Sequence, residues 1–100
     1  MRQMLLTPAL IRKLPPLGTT ANEADTTKIM AQCKFFTPWT SWTWWVIEYD
    51  GGDTFFGLVQ GFEKELGFFR LSELLSVAGP FGLYIERDEL FEATPLSELL

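Results

Sequence analysis

WTWWVIEYDGGDTFFGLVQ, residues 42–60, decides the fold. Its first eight residues are aromatic and β-branched apart from Glu48, the composition that suits a pleated strand. Asp50-Gly51-Gly52-Asp53 then offers two glycines, the residue that accepts the positive φ of a tight hairpin. Thr54 to Gln60 returns as a second strand. The stretch therefore predicts an antiparallel hairpin, Trp42–Tyr49 against Thr54–Gln60.

Strict alternation along the first strand sorts its side chains into two faces. Trp42, Trp44, Val46, Glu48 and Asp50 fall on one, and Thr43, Trp45, Ile47 and Tyr49 on the other. Trp45 shares its face with Ile47, which predicts that both are core. Trp39, Trp42 and Trp44 then lie under short helices or stand partly exposed. They either pack, or form an aromatic contact surface of the kind that dominates protein interfaces.

The flanking sequence extends the sheet. Residues 28–36 alternate, with Ile29, Ala31, Cys33 and Phe35 to one side and Lys28, Gln32 and Lys34 to the other, which predicts a half-buried strand. Residues 62–69 predict another, with Phe62, Lys64, Leu66 and Phe68 opposite Glu63 and Glu65. Leu83 to Arg87 reads as a short fifth strand. Thr7-Pro8 predicts a helix start, because Thr caps and Pro needs no N–H at the first helical position. Pro15-Pro16 ends that helix. Residues 18–27 are small and polar and predict a surface loop. Ser72 is the expected N-cap of a short helix over Leu71–Leu75, and Thr94-Pro95 repeats the opening device before a last helical turn. The fold class is α+β. Residues 1–100 form a single small domain, an antiparallel sheet of about four to five strands with short helices at both termini and one after the fourth strand.

Composition narrows the chemistry. The chain of 100 residues contains no His and one Cys. That removes Ser-His-Asp and Cys-His catalysis, and a structural zinc site. No glycine-rich phosphate motif is present, so no cofactor is expected. Cys33 cannot form an internal disulfide, and the interrupted apolar stretch of residues 1–18 is too short and too charged for a signal peptide or membrane span. A cytoplasmic protein without membrane contact is the expectation. The net charge is −5, with +3 on residues 1–47 and −8 on residues 48–98. Such a surface repels phosphates and attracts basic partners, or else merely solubilises. Stacking of bases on the tryptophans would need more cations than Lys28 and Lys34, so direct nucleic acid binding is not expected.

Carboxylates are the remaining chemistry. Glu48, Asp50 and Asp53 form one group, and Glu86, Asp88 and Glu89 another. Paired acids can hold Mg²⁺ or Ca²⁺ or cleave a glycoside, although acids in turns more commonly cap and solvate.

The strings KFFTP (residues 34–38), WTWWVIEYDGGDTFFGLVQGFEKELGFFRLSEL (42–74), GPFGLYIERD (79–88) and TPLSEL (94–99) resemble the bacterial family termed domain of unknown function 2958. LLTPALIRKLPPL (5–17) resembles that family's start. Members often carry Tyr where Trp45 stands, and an aromatic or His near Glu89-Leu90, so any role for that His would be missing here. The resemblance implies a setting on plasmids and other mobile genetic elements, near conjugation and anti-defence genes. It implies no catalytic residues.

The first reading is accordingly a non-enzymatic acidic protein-binding module, an anti-defence inhibitor of CRISPR or restriction machinery. It would sterically block a basic surface that normally holds nucleic acid. Trp39, Trp42 and Trp44 would anchor while Glu48, Asp50, Asp53, Glu86 and Asp88 complement the basic surface. A carboxylate- or metal-dependent hydrolase and a structural homo-oligomer are the alternatives.

Overall fold

The computed structural model describes residues 3–100. The expected hairpin is its centre. β3 (Thr43–Tyr49) pairs with β4 (Thr54–Gln60), and β4 with β5 (Lys64–Arg70), all antiparallel. β2 (Cys33–Phe36) flanks β3, and β6 (Glu86–Arg87) flanks β2. The sheet order is β5-β4-β3-β2-β6. A second, two-stranded sheet joins β1 (Met30–Ala31) to β7 (Thr94–Pro95). Helix α1 (Pro8–Lys13) precedes the strands and α2 (Leu71–Ser76) follows β5. The α+β single domain is as the sequence predicts. Among the described residues no helix is long and apolar enough to cross a membrane.

Strict alternation in β3 fails at one residue. Val46 pairs with Gly57 and Glu48 with Phe56, so Ile47 has no partner on β4. A β-bulge of this kind makes two residues oppose one. Side chains beyond it change faces. Tyr49 joins the Val46 side, and Glu48 joins the Trp45 and Ile47 side. This corrects the expected grouping of Glu48 with Trp42 and Trp44.

Both faces of the sheet carry a core. One holds Leu5, Leu14, Cys33, Phe35, Val46, Tyr49, Phe55, Phe69, Leu74 and Ile85. The other holds Ile29, Ala31, Trp45, Ile47, Leu58 and Leu96. Trp45 and Ile47 are buried as expected. Residues 45–49 are all buried, the mark of a strand covered on two sides. In the first core Phe55 stacks on Tyr49 at 4.9 Å and meets Phe35 edge-on at 5.8 Å. Each such pair adds about 0.5–1.5 kcal/mol beyond its burial.

The predicted strand over 28–36 is also corrected. It breaks at Gln32, whose N–H donates to Val46 O at 2.8 Å. Ile29 and Ala31 enter one core, and Cys33 and Phe35 the other. The apolar spacing was right, but it serves two layers.

The chain ends close the two faces. Thr7 caps α1 by accepting the Leu10 N–H at 3.2 Å, and Leu5 and Leu14 go into the first core. Gln3 binds the edge of β6 through its side-chain amide, which donates to Arg87 O at 3.1 Å and accepts from Arg87 N–H. Leu96, in a 3-10 turn over Leu96–Glu98, fills the second core, and its N–H donates to Ile29 O at 2.7 Å. Thr94-Pro95 is therefore strand rather than helix cap.

Candidate functional site

The DGGD turn uses its acids internally. Asp50 accepts the N–H groups of Gly52 at 2.8 Å and Thr54 at 3.1 Å. Those bonds hold its carboxyl below the usual range. Gly51 has φ of 84°, which only glycine adopts freely. Asp53 caps α2 from outside the helix. It accepts the Ser72 N–H at 2.8 Å and the Ser72 hydroxyl at 2.5 Å, while its own carbonyl accepts Leu71 N–H. The N-cap position itself is Arg70, whose side chain makes no capping bond, so Ser72 is not the cap. Asp53→Ala is expected to cost about 1 kcal/mol, the ordinary worth of a cap, measured as a fall in the urea midpoint. Burial, then the charges of Asp50 and Asp53, raise the Tyr49 hydroxyl above its ordinary pKa.

Glu48 is 2% exposed. Its carboxylate accepts Gly18 N–H at 2.8 Å, and Thr20 N–H and hydroxyl each at 2.6 Å. Burial pushes its pKa up, and the Thr20 and Gly18 hydrogen bonds outweigh that and hold it below normal. Glu48 is thus a clasp on the 18–20 loop and offers no surface to a partner, which removes it from the expected contact set.

On the sheet's other flank Asp88 forms an ion pair with Lys34 at 3.8 Å, and its carboxylate accepts Leu90 N–H at 3.0 Å. Glu86 pairs in register with Phe36 on the short strand β6. Burial pushes the Cys33 thiol up to about 12, against a smaller pull from Arg87, so it stays protonated and inert at neutral pH. Among the described residues no three His, Cys, Asp or Glu come together as a metal site.

The tryptophans separate. Trp39 is half-buried and covers Gly79 so closely that a Cβ there would lie 2.6 Å from its ring. Trp42 lies on Gly61 in the same way, at 2.4 Å. It is 36% exposed, sits 6.0 Å from Trp44 and meets Phe62 edge-on at 5.9 Å. Phe62 is 98% exposed. Register places Trp44, Val59 and Glu65 side by side across three strands. Trp42, Val59, Gly61, Phe62, Glu63 and Glu65 line a cavity of about 290 Å³. Neither Glu63 nor Glu65 has an ion-pair partner among the described residues, where the pairs are Lys34–Asp88 and Arg87–Glu89.

The structure therefore joins Trp42 and Trp44 to Phe62, Glu63 and Glu65. It does not join them to Asp50 and Asp53, which lie at the far end of β3, roughly 20 Å away at about 3.3 Å per residue. Sequence reading missed Phe62 and the two glutamates as partners of the tryptophans. The usable signal was Gly61, a missing side chain beside a loop aromatic.

An exposed aromatic pair beside unpaired carboxylates suits an alkylammonium or guanidinium group, through cation–π contact and charge. No curated protein and no solved structure matches the chain. A family model matches residues 5–100. With nearly the whole length covered, the chain belongs to the family described as "Protein of unknown function (DUF2958)".

Proposed function

We propose that this protein is a non-catalytic binding module of the cytoplasm, which takes a basic surface of a protein partner at the Trp42–Phe62 corner. The observation that carries this reading is the exposed Trp42 and Phe62, backed by the partly buried Trp44, with Glu63 and Glu65 beside them and no ion-pair partner for either glutamate among the described residues. Interface hot spots have this form, large aromatic area with charge at the rim. The acidic net charge adds steering toward a basic partner. The resemblance to proteins of mobile genetic elements supports an anti-defence role, a steric block on the nucleic-acid-binding surface of CRISPR or restriction machinery.

The test is a pull-down with tagged protein from bacterial lysates that carry those systems, followed by binding to the purified partner. A nucleic-acid-binding complex captured at low salt and released at high salt is expected. Trp42→Ala with Phe62→Ala, and separately Glu63→Lys with Glu65→Lys, should each weaken binding at least tenfold. A partner held with unchanged affinity by both double variants would refute the site. Charge reversal at Asp50 and Asp53 is a poor test, since those side chains hold the turn and α2.

A further inference from the structure

The two edges of the main sheet are treated differently. At the β6 edge the strand is two residues long, and the Gln3 side chain occupies the main-chain groups of Arg87 as a neighbouring strand would. The β5 edge is seven residues long and, among the described residues, pairs on one side only. Leu71 N–H donates to Asp53 O beyond one end of the ladder, and Gly61 N–H to Glu63 O at the other. Antiparallel alternation between these points turns the main-chain groups of Glu65, Gly67 and Phe69 toward β4. Those of Lys64, Leu66 and Phe68 point outward. Long open edges are normally blunted by an outward lysine or a proline. Here the Lys64 ammonium is drawn away, donating to Leu99 O at 2.6 Å and lying over Trp45.

The faces beside that edge differ in chemistry. On one side Glu65 lines the Trp42–Phe62 cavity, and Gly67 leaves open space next to it. On the other, Leu66 is 49% and Phe68 69% exposed, and with Phe56 they line a second cavity of about 270 Å³. Phe56 and Phe68 sit 5.2 Å apart across the ladder. A strand laid along β5 would alternate its side chains between an acidic, aromatic cleft and an apolar one.

From this we infer that β5 is the docking edge. An extended segment of the basic partner adds to the sheet as a further strand, with apolar side chains against Leu66 and Phe68 and the intervening Lys or Arg beside Glu65. Main-chain hydrogen bonds would supply affinity and the two clefts the sequence preference. The inference rests on the partner-binding reading above and specifies its mode.

The probe is an acetylated nine-residue peptide of alternating valine and arginine, compared with the same residues arranged in two blocks. Amide exchange by NMR reads the edge directly in the unaltered protein. The alternating peptide should slow exchange at Lys64, Leu66 and Phe68 at least tenfold, and the block peptide should not. Leu66→Pro deletes one outward N–H, which an edge strand tolerates. It should lower affinity at least tenfold with the Glu65 and Gly67 amides still protected. If that variant fails to fold, Phe68→Lys serves instead, with the same expected loss.

Equal binding of both peptides, or unchanged exchange at the three amides under saturation, overturns strand addition. Protection that rises with protein concentration alone assigns the edge to a second copy of the chain and also overturns it. Loss of binding in Glu63→Lys with Glu65→Lys but not in Leu66→Pro would leave the acidic aromatic corner standing without the strand. Retention in both would remove the corner as well.

Discussion

Gly57→Ala is expected to destabilise the domain by about 3 kcal/mol or more, a large part of the roughly 5–15 kcal/mol available to a chain of this kind. The bulge at Ile47 lies next to the Val46–Gly57 pair, where the two backbones come close. A Cβ on Gly57 would lie 1.9 Å from Trp45 O and 3.0 Å from Trp45 C. Both are backbone atoms of a strand packed between two cores, so no side-chain rotation relieves the contact. The ladder must shift, and with it the bulge that sets the faces of Glu48 and Tyr49. The control is its cross-strand neighbour. Gly67 pairs with Gly57, and a Cβ there meets nothing within 4 Å. Gly67→Ala should change stability by no more than about 1 kcal/mol, with stabilisation permitted through the unfolded chain. Urea unfolding of both variants decides the matter. Equal midpoints would show that the close approach at Gly57 is absent in solution.

Removing the Glu48 charge should have the next largest effect. In Glu48→Gln an amide NH₂ must face donors where a carboxylate oxygen now accepts Gly18 or Thr20 N–H. Hydrogen bonds to a charged group are worth about 1.5–3 kcal/mol each, and a buried unmatched donor adds its own penalty. The expected cost is about 2–3 kcal/mol, with faster amide exchange at Gly18 and Thr20 before the sheet opens.

The same residue sets an acid limit. Against the upward push of burial, the Thr20 and Gly18 hydrogen bonds hold its folded-state pKa below the ordinary glutamate value. A depressed carboxyl contributes fully above the unfolded pKa and loses that contribution as pH falls through the folded one. Stability of the natural chain should therefore decline from about pH 5 downward. Asp25 and Asp50, also depressed by hydrogen bonds, add to the decline in both proteins. The gap between natural chain and Glu48→Gln should close in acid. A gap of constant size from pH 7 to 3 would exclude the carboxylate as its source.

Local chemistry explains what could be read in advance. The hairpin is written in Asp50-Gly51-Gly52, and α1 in Thr7-Pro8, where cause and effect lie within four residues. Trp45 and Ile47 were placed correctly because the bulge falls beyond Trp45 and keeps Ile47 on its side. The faces of Glu48 and Tyr49 were not, since alternation carries no mark of an inserted residue. Asp53 and Ser72 stand 19 residues apart, and Thr20 and Glu48 stand 28 apart. Such pairs are set by which loop folds over which face, and residue types alone do not encode that. For the candidate site, the aromatic component was legible in the density of tryptophan, but its acidic partners were not. Glu63 and Glu65 looked like the wet side of a strand until register put Glu65 beside Val59 and Trp44.

Because the second face of the sheet is completed by a residue far downstream of the strands it covers, that layer closes late during synthesis. The β3-β4-β5 meander closes through short turns and can form as soon as it leaves the ribosome. The layer over Trp45, Ile47 and Leu58 waits for Leu96 to arrive. Leu96, far downstream of the meander, thus decides whether that layer stays wet. Ribosome-arrested chains that stop before Leu96 should remain open to protease at Trp45 and Leu58, and chains from which Leu96 has emerged should close both at once.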